Sequence, residues 1–385
     1  MTDCFRWHPR ARLFDGAWRE VSHVAAGDPV AADGPEGLAG VIGLPAFRIG
    51  AVDTPPPLSG PVPVFETLTS GSTGKPRRIY RTQGSWIASF AINGRFGIGP
   101  GARVAVLGRL VHSLALYGAV EGLHLGAEVH LLESLRPDRQ RLALAARRIT
   151  HLYATPAQLR LVVDGQGLCP DLRLVLVGGS KLDAGLRRAL GVMAPGAAIR
   201  EFYGAAEASF ITIADEYTPE ASVGRIYAGV ALSLDKAGEI WVKSPYLLIG
   251  YAEGEGSAKW HDGWLSVGEI GRVEEGFLYL SGRAGRMVTV ADQNVFPEEI
   301  ETLMLSLPGI AKAAVLPVKD AKRGTVLVAM VEGDPSAEAA ILAALRAELG
   351  PLKAPRVLFW QANWPVLASG KTDLQALEAR LAWPV

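Results

Sequence analysis

The stretch "RVAVLGRLVHSLALYGAVEGLHLGAEVHLLES" runs from Arg103 to Ser134 and decides the fold class. "RVAVLG" is a short apolar run of the size of a buried strand. "SLALYGAVEGLHLG" is long enough for a helix and ends on a glycine stop, and "EVHLLES" returns to strand character. The alternation then continues: "RQRLALAARRI" predicts an amphipathic helix, "THLYATP" a strand, "PAQLRLVVDG" a helix and "LRLVLVGGS" a strand. Strands alternating with helices imply a largely parallel, helix-covered sheet of the α/β class.

The pattern changes on both sides of this segment. Residues 1–50 are rich in Gly and Ala without strong periodicity, and "DTPPPLSGPVPVF" (Asp53–Phe65) reads as a stiff extended connector. After Gly224, "GEIWVKSP" and "GRVEEGFLYLSGR" alternate apolar and polar residues as short antiparallel strands do. Beyond Arg283 the pattern is α+β. "PEEIETLMLSLPGI" and "SAEAAILAALRAELG" predict helices, and "KAAVLPVKD" and "TVLVAMVEG" predict strands. The expected organisation is a large α/β domain over residues 1–282, with mixed sheets and a β-rich segment, followed by a small α+β lid domain over 283–385.

Composition narrows the function. The chain has 385 residues, 49% hydrophobic and 20% charged, enough for a sizeable core. Lys+Arg and Asp+Glu both number 39, so no net positive charge is available for phosphate neutralisation along a nucleic acid. The two cysteines, Cys4 and Cys169, form no C-x-x-C pair, which argues against a zinc site or disulfide framework. The first residues carry no apolar leader core and no run is long enough to span a membrane. The expected location is the cytoplasm.

"TLTSGSTGKPRRIYR" (Thr67–Arg81) has the composition of an anion cradle. Gly71 and Gly74 permit close backbone approach, Thr69, Ser70, Ser72 and Thr73 add hydroxyls, and Lys75, Arg77, Arg78 and Arg81 add charge. It is not a Walker A loop: the glycine spacing is too short, and Pro76 stands where that motif needs a hydroxyl. On composition alone a surface hairpin remains open. In "EFYGAAEAS", Tyr203, Gly204 and Glu207 could stack a ring and hold a metal, or be a core tyrosine and a surface glutamate. Lys371 follows a glycine turn near the C-terminus. No G-x-S-x-G elbow of a serine hydrolase occurs.

Order and spacing bring these pieces together. "LTSGSTGKPR", "YGAAE", "GEIWVKSPYLLIGY", "GWLSVGE", "SGRAGRMV", "FPEEIE" and "PVLASGK" follow one another in a sequence that resembles the adenylate-forming superfamily: acyl- and aryl-CoA synthetases, peptide-synthetase adenylation domains and firefly luciferase. The resemblance covers roughly residues 61–385. It implies an enzyme that joins a carboxylic acid to ATP as acyl-AMP and passes the acyl group to the thiol of CoA or of a carrier protein's phosphopantetheine. The alternative is a non-catalytic acyl- or nucleotide-binding relative.

What the resemblance implies for single residues is specific. Thr69–Lys75 would cradle the phosphates, with Thr73 and Lys75 acting in catalysis. Glu207 would hold Mg²⁺. Gly179, Ser180, Tyr203 and Gly204 would line the adenine slot, Glu269 would accept the ribose hydroxyls with Arg283 nearby, and Lys371 would act in adenylate formation. His112, Ser113, Leu116, Tyr117 and Gly178 would form the acid site. "LVHSLALYG" lacks the aspartate that pairs with an amino acid's ammonium group, so an aryl or fatty acid is expected. Four positions depart from the family pattern. Ala206 replaces a threonine, Glu269 an aspartate, Arg286 the hinge aspartate, and Asp292 a glycine. The segment before Ser70 is also shorter than usual, so a truncated first subdomain is expected, with an apolar flank that a second copy in a homodimer could cover.

Overall fold

The computed structural model describes residues 4–25, 27–50, 52, 55–69, 77–165, 167–254, 256, 258–290, 293–320, 324–367 and 371–381. They form two compact bodies. The first comprises residues 1–232, 242–267 and 274–278, and the second comprises residues 233–241, 268–273 and 279–385.

The first body is built on the sheet that Arg103–Ser134 announces. Strands Arg103–Val106 and Glu128–Leu131 pair in parallel, with helix Ser113–Leu125 as their crossover. Strands His151–Ala154, Leu174–Gly178 and Ala198–Ala205 extend the parallel array on one side, and Arg12–Phe14 on the other. Both faces are covered. Val104 and Val106 pack under helix Ser113–Leu125, whereas Ala105, Leu152 and Val175 face the helices that carry Leu144, Leu159 and Leu186. Two-sided burial explains why these strands read as continuous apolar runs. Helix Ser113–Leu125 ends where Gly126 adopts a φ of 94°, the left-handed cap that glycine adopts without strain.

A second sheet has the order Gly250–Tyr251, Arg78–Thr82, Val64–Leu68, Ala46–Ile49 and Val30–Ala31. Residues 1–50 thus contribute strands to both sheets, and these are two to four residues long, too short to display a period. The proline-rich connector is tied down by a buried ion pair. Arg48 Nη1 donates to Glu66 Oε2 at 2.8 Å and Arg48 Nη2 to the Pro55 carbonyl at 2.7 Å, while Glu66 Oε1 accepts from the Leu58 N–H at 2.8 Å.

The second body holds a three-stranded sheet, Ile310–Asp320, Gly324–Gly333 and Leu358–Trp360, with helices Pro297–Ser306 and Glu338–Lys353 on one face. Trp364 and Leu377 cover the other face. The α+β character expected after Arg283 is present. No helix among the described residues is long and apolar enough to cross a membrane.

One buried network in the first body has a titration consequence. Glu121 is fully buried, accepts hydrogen bonds from the Tyr117 and Tyr153 hydroxyls, and its carboxyl is pushed up to about 8 by burial. A carboxyl whose folded-state value lies above its unfolded one stabilises the fold at low pH, and the contribution disappears as pH rises through the folded value. Wild-type stability should therefore fall between about pH 5 and pH 8 by on the order of a few kcal/mol relative to Glu121→Gln. Urea unfolding of both proteins across that range tests this; parallel pH profiles would show that Glu121 is not the titrating group.

Candidate active site

Strands Val64–Leu68 and Arg78–Thr82 pair antiparallel from Val64↔Thr82 to Leu68↔Arg78, forming a stem. The stem closes where Thr69 N–H donates to the Arg77 carbonyl at 2.8 Å and Arg77 N–H donates to Thr69 Oγ1 at 3.1 Å. The expected phosphate-loop residues Ser70, Gly71, Ser72, Thr73, Gly74 and Lys75 lie outside the described residues, as does Asp292. Thr69 and Arg77 are held side by side.

The stem adjoins the start of helix Ser113–Leu125. Leu68 forms a β-bridge with His112, Leu68 N–H donates to the Val111 carbonyl at 3.1 Å, and Ser113 Oγ donates to Thr67 Oγ1 at 3.0 Å. Burial, reinforced by Arg109, lowers the His112 pKa, so the imidazole is neutral at neutral pH. Leu116 and Tyr117 are buried, and the Tyr117 hydroxyl shares hydrogen bonds with Ser89, Asn93 and Glu121.

Tyr203, Gly204 and Glu207 occupy the end of strand Ala198–Ala205 and the turn into Ser209–Ala214. At Gly204 a Cβ would lie 1.9 Å from the Ser209 carbonyl oxygen, so only glycine allows this hairpin to close. Glu207 is held twice: its carbonyl accepts from Leu248 N–H at 2.8 Å and its Oε1 accepts from the Tyr251 hydroxyl at 3.1 Å. Gly178 ends its strand beneath the Phe202 ring, and Gly179 (φ 103°) and Ser180 follow as exposed residues.

Arg81, which composition groups with the cations of the loop, faces the interior instead. It is 1% exposed, with Nη1 donating to the Tyr246 carbonyl at 3.1 Å, Nη2 to the Ala206 carbonyl, and its guanidinium 5.6 Å from the Trp86 ring centroid. Burial lowers its pKa to about 10, so it remains charged at neutral pH, with Glu207 as the facing carboxylate. Arg78 is ion-paired with Glu253. The buried parity of Arg81, two residues after Ile79 on the strand, is the signal that sequence reading missed.

In the second body, Arg283 Nε donates to Glu269 Oε1 at 3.4 Å. Glu269 Oε2 is buried with no hydrogen-bond partner among the described residues, an acceptor suited to a hydroxyl. Arg286 is bound within its own body: it contacts Glu301 at 2.7 Å, Glu298 at 3.2 Å and the Val315 carbonyl at 3.0 Å. The reversed charge at this position is thereby neutralised locally. Lys371 opens a short antiparallel closure, with Leu367 N–H donating to its carbonyl at 2.8 Å and Val366 bridging Thr372.

No group of three or more His, Cys, Asp or Glu side chains among the described residues forms a metal cage. A single carboxylate such as Glu207 suits Mg²⁺, which commonly takes one or two protein carboxylates and completes its shell with phosphates and water.

The comparisons agree with this architecture. The model of the AMP-binding enzyme family matches residues 19–252, and that of the AMP-binding enzyme C-terminal domain matches residues 299–371. The chain belongs to the AMP-binding enzyme family, within the adenylate-forming superfamily. It is 32% identical over 336 residues to the uncharacterized acyl–CoA ligase YhfT of Bacillus subtilis, covering 83% of this chain and 69% of that protein. It is 29% identical to the provisionally named long chain fatty acid–CoA ligase VraA of Staphylococcus epidermidis, covering 69% of this chain and 60% of that protein. The chain thus spans between 60% and 69% of the length of these two relatives. Among solved structures, ATP-bound MatB from Rhodopseudomonas palustris superposes with a TM-score of 0.79 at 19% identity, covering 97% of this chain and 96% of that one.

The Arg81 geometry yields a direct test. Arg81→Met should leave the Ala206 and Tyr246 carbonyls without their donor and cost about 1–3 kcal/mol. Hydrogen exchange should rise most at Leu248 and across 205–208, and Arg81→Lys should recover part of the protection. Unchanged exchange at these amides would show that the turn is held by other contacts.

Proposed function

We propose that the chain is an ATP-dependent acid–thiol ligase. An oxygen of the acid's carboxylate attacks the α-phosphorus of ATP, pyrophosphate leaves, and the mixed anhydride acyl-AMP results. A thiolate then attacks the acyl carbon, AMP leaves, and a thioester forms. The thiol belongs to CoA or to the phosphopantetheine of an acyl carrier protein. The acid is an aryl or fatty acid, in keeping with the absence of an aspartate from "LVHSLALYG", and the reaction takes place in the cytoplasm. The names of the relatives YhfT and VraA, both of which name an acyl–CoA ligase, support this reading, as does the family to which the chain belongs.

The observation that carries the proposal is the convergence within the first body. The loop stem, the start of helix Ser113–Leu125 and the Glu207 turn are joined by Ser113–Thr67, Arg81–Ala206 and Leu248–Glu207 hydrogen bonds. A hydroxyl-rich loop, a carboxylate and an acid-binding helix start are the parts that phosphoryl chemistry needs together. Thr69 to Lys75 cradle the phosphates, Glu207 holds Mg²⁺, and Gly179, Ser180, Tyr203 and Gly204 flank the adenine. Mg²⁺, when bound, supplies charge neutralisation on the phosphates. Glu269 accepts the ribose hydroxyls through its unpartnered oxygen, beside Arg283. As functional domains, residues 1–282 carry the ATP and acid sites and residues 283–385 act as a lid carrying Lys371, whose cation acts while charge develops on the α-phosphate; this division differs from the two compact bodies, since 233–241, 268–273 and 279–282 belong to the second.

Acid-dependent pyrophosphate release from ATP tests the whole proposal; its absence with every acid in a broad panel would remove it. Within that assay, Lys371→Ala should lower adenylate formation by about a hundredfold or more, the scale of losing a transition-state contact. Thioester formation from supplied acyl-AMP should be largely spared. Equal losses in both half-reactions would assign the lysine a structural role. Glu207→Gln should raise the Mg²⁺ concentration needed for half-maximal pyrophosphate release by about tenfold with little change in Tm. An unchanged Mg²⁺ dependence accompanied by a large fall in Tm would place the glutamate in the structure instead.

A further inference from the structure

The motifs leave the size of the acid undefined, and the packing beside helix Ser113–Leu125 bears on it. Resting on the ligase reading above, we propose that this chain takes a compact carboxylic acid, a short alkyl or single-ring acid, because Tyr153, Tyr117 and Phe202 close the space about one helical turn beyond Ser113.

The accessible part of the helix is its first turn. His112, Ser113 and Leu114 are half-buried, and from Ala115 to His124 every residue is buried. Ser113 is bonded to Thr67 on the loop stem, and on the ligase reading the carboxylate lies at this end of the helix. Gly118 lies just over one turn further along. It has no side chain, and the gap is already filled: a Cβ there would lie 2.6 Å from the Tyr153 ring. At the opposite edge the Phe202 ring covers Gly178, 2.2 Å from where a Cβ would stand. Rings connect the two edges. Phe202 and Phe210 centroids are 4.6 Å apart, Phe210 and Tyr117 5.1 Å, and Tyr117 and Tyr153 6.2 Å.

This wall is fastened. The Tyr153 hydroxyl donates to Glu121, and the Tyr117 hydroxyl engages Glu121, Ser89 at 2.7 Å and Asn93 at 3.1 Å. Asn93 in turn accepts from Tyr227 at 2.7 Å. Swinging either tyrosine aside to admit a tail would strand several buried polar groups at once, unlike the displacement of a flexible aliphatic side chain. One turn of helix advances about 5 Å, which accommodates a few methylenes or one ring. A longer chain would overpack a filled core. Tyr153 is thus assigned as a specificity-determining residue: its ring occupies the place into which a longer tail would extend.

The test is a series of acids, acetate, butyrate, hexanoate, octanoate, palmitate and benzoate, in the pyrophosphate-release assay. Binding is read separately by the Tm shift with butyryl- and palmitoyl-sulfamoyladenosine. Wild type should use butyrate or benzoate with kcat/KM at least about tenfold above octanoate and palmitate, and butyryl-sulfamoyladenosine should give the larger Tm shift. Tyr153→Ala and Phe202→Ala should each raise kcat/KM for hexanoate or octanoate relative to butyrate by about tenfold. Phe202 is only half-buried, so its variant serves if Tyr153→Ala does not fold. Tyr153→Phe keeps the ring and should keep the wild-type order of acids. Palmitate exceeding butyrate and benzoate in wild type, or an unchanged order in the folded alanine variants, overturns the proposal. If no acid releases pyrophosphate, the ligase reading fails, and the Tm comparison alone decides the wall: a larger shift with the butyryl analogue supports it, and a larger shift with the palmitoyl analogue overturns it.

Discussion

The arrangement of the first body's site depends on one buried cation. Arg81 projects from the strand that leaves the phosphate-loop stem and donates to the Ala206 and Tyr246 carbonyls, which lie in two other chain segments. A buried guanidinium is costly to desolvate unless its donors are met. Here two backbone carbonyls accept from Nη1 and Nη2, the Trp86 ring lies alongside and Glu207 is the nearby opposite charge, while Nε has no hydrogen-bond partner among the described residues. The price of the burial is that the stem and the Glu207 turn cannot drift apart without stranding the charge. Ala206 is also the position where the family pattern has a threonine. Arg81 holds that residue by its backbone, a contact indifferent to the side chain.

A second constraint acts on the helix side. The parallel strands bury both faces, so the space around helix Ser113–Leu125 is set by which rings fill it. Tyr117, Tyr153, Phe202 and Phe210 do so on one face, and their hydroxyl network centres on Glu121. Satisfied polar networks inside a core favour one arrangement over its neighbours, because every partial rearrangement leaves a donor or acceptor unpaired. The same network holds Tyr117 in the core, bonded on its hydroxyl to Ser89, Asn93 and Glu121.

Much of the architecture was legible in the chain. The apolar runs from Arg103 to Gly178 and the glycine stops predicted the parallel α/β order, because a strand buried on both faces has no other pattern to show. The α+β character after Arg283 followed from the same periodicities. The short strands of residues 12–49 were not legible: they are only two to four residues long and owe their pairing to neighbours far away in sequence. The side-chain directions within the site were also hidden. Arg81 in "RRIYR" reads as one more loop cation, and only the partner strands put it on the inward face. Arg286 reads as a reversed charge at the hinge position, yet Glu298 and Glu301 of the adjacent helix neutralise it.

The sequence by itself determined the family, through seven short motifs whose order resembles that of the adenylate-forming enzymes, and it determined the order of strands and helices through hydrophobic period. Those are local properties, carried by residue type and spacing. Only the tertiary structure decided which charges face the interior, that Glu269 keeps a buried oxygen with no partner among the described residues while both oxygens of Glu66 are engaged, and that the ring of Tyr153 fills the gap at Gly118. Burial, hydrogen-bond satisfaction and occupied volume belong to contacts between residues distant along the chain, and no local pattern of residue types encodes which atoms will meet.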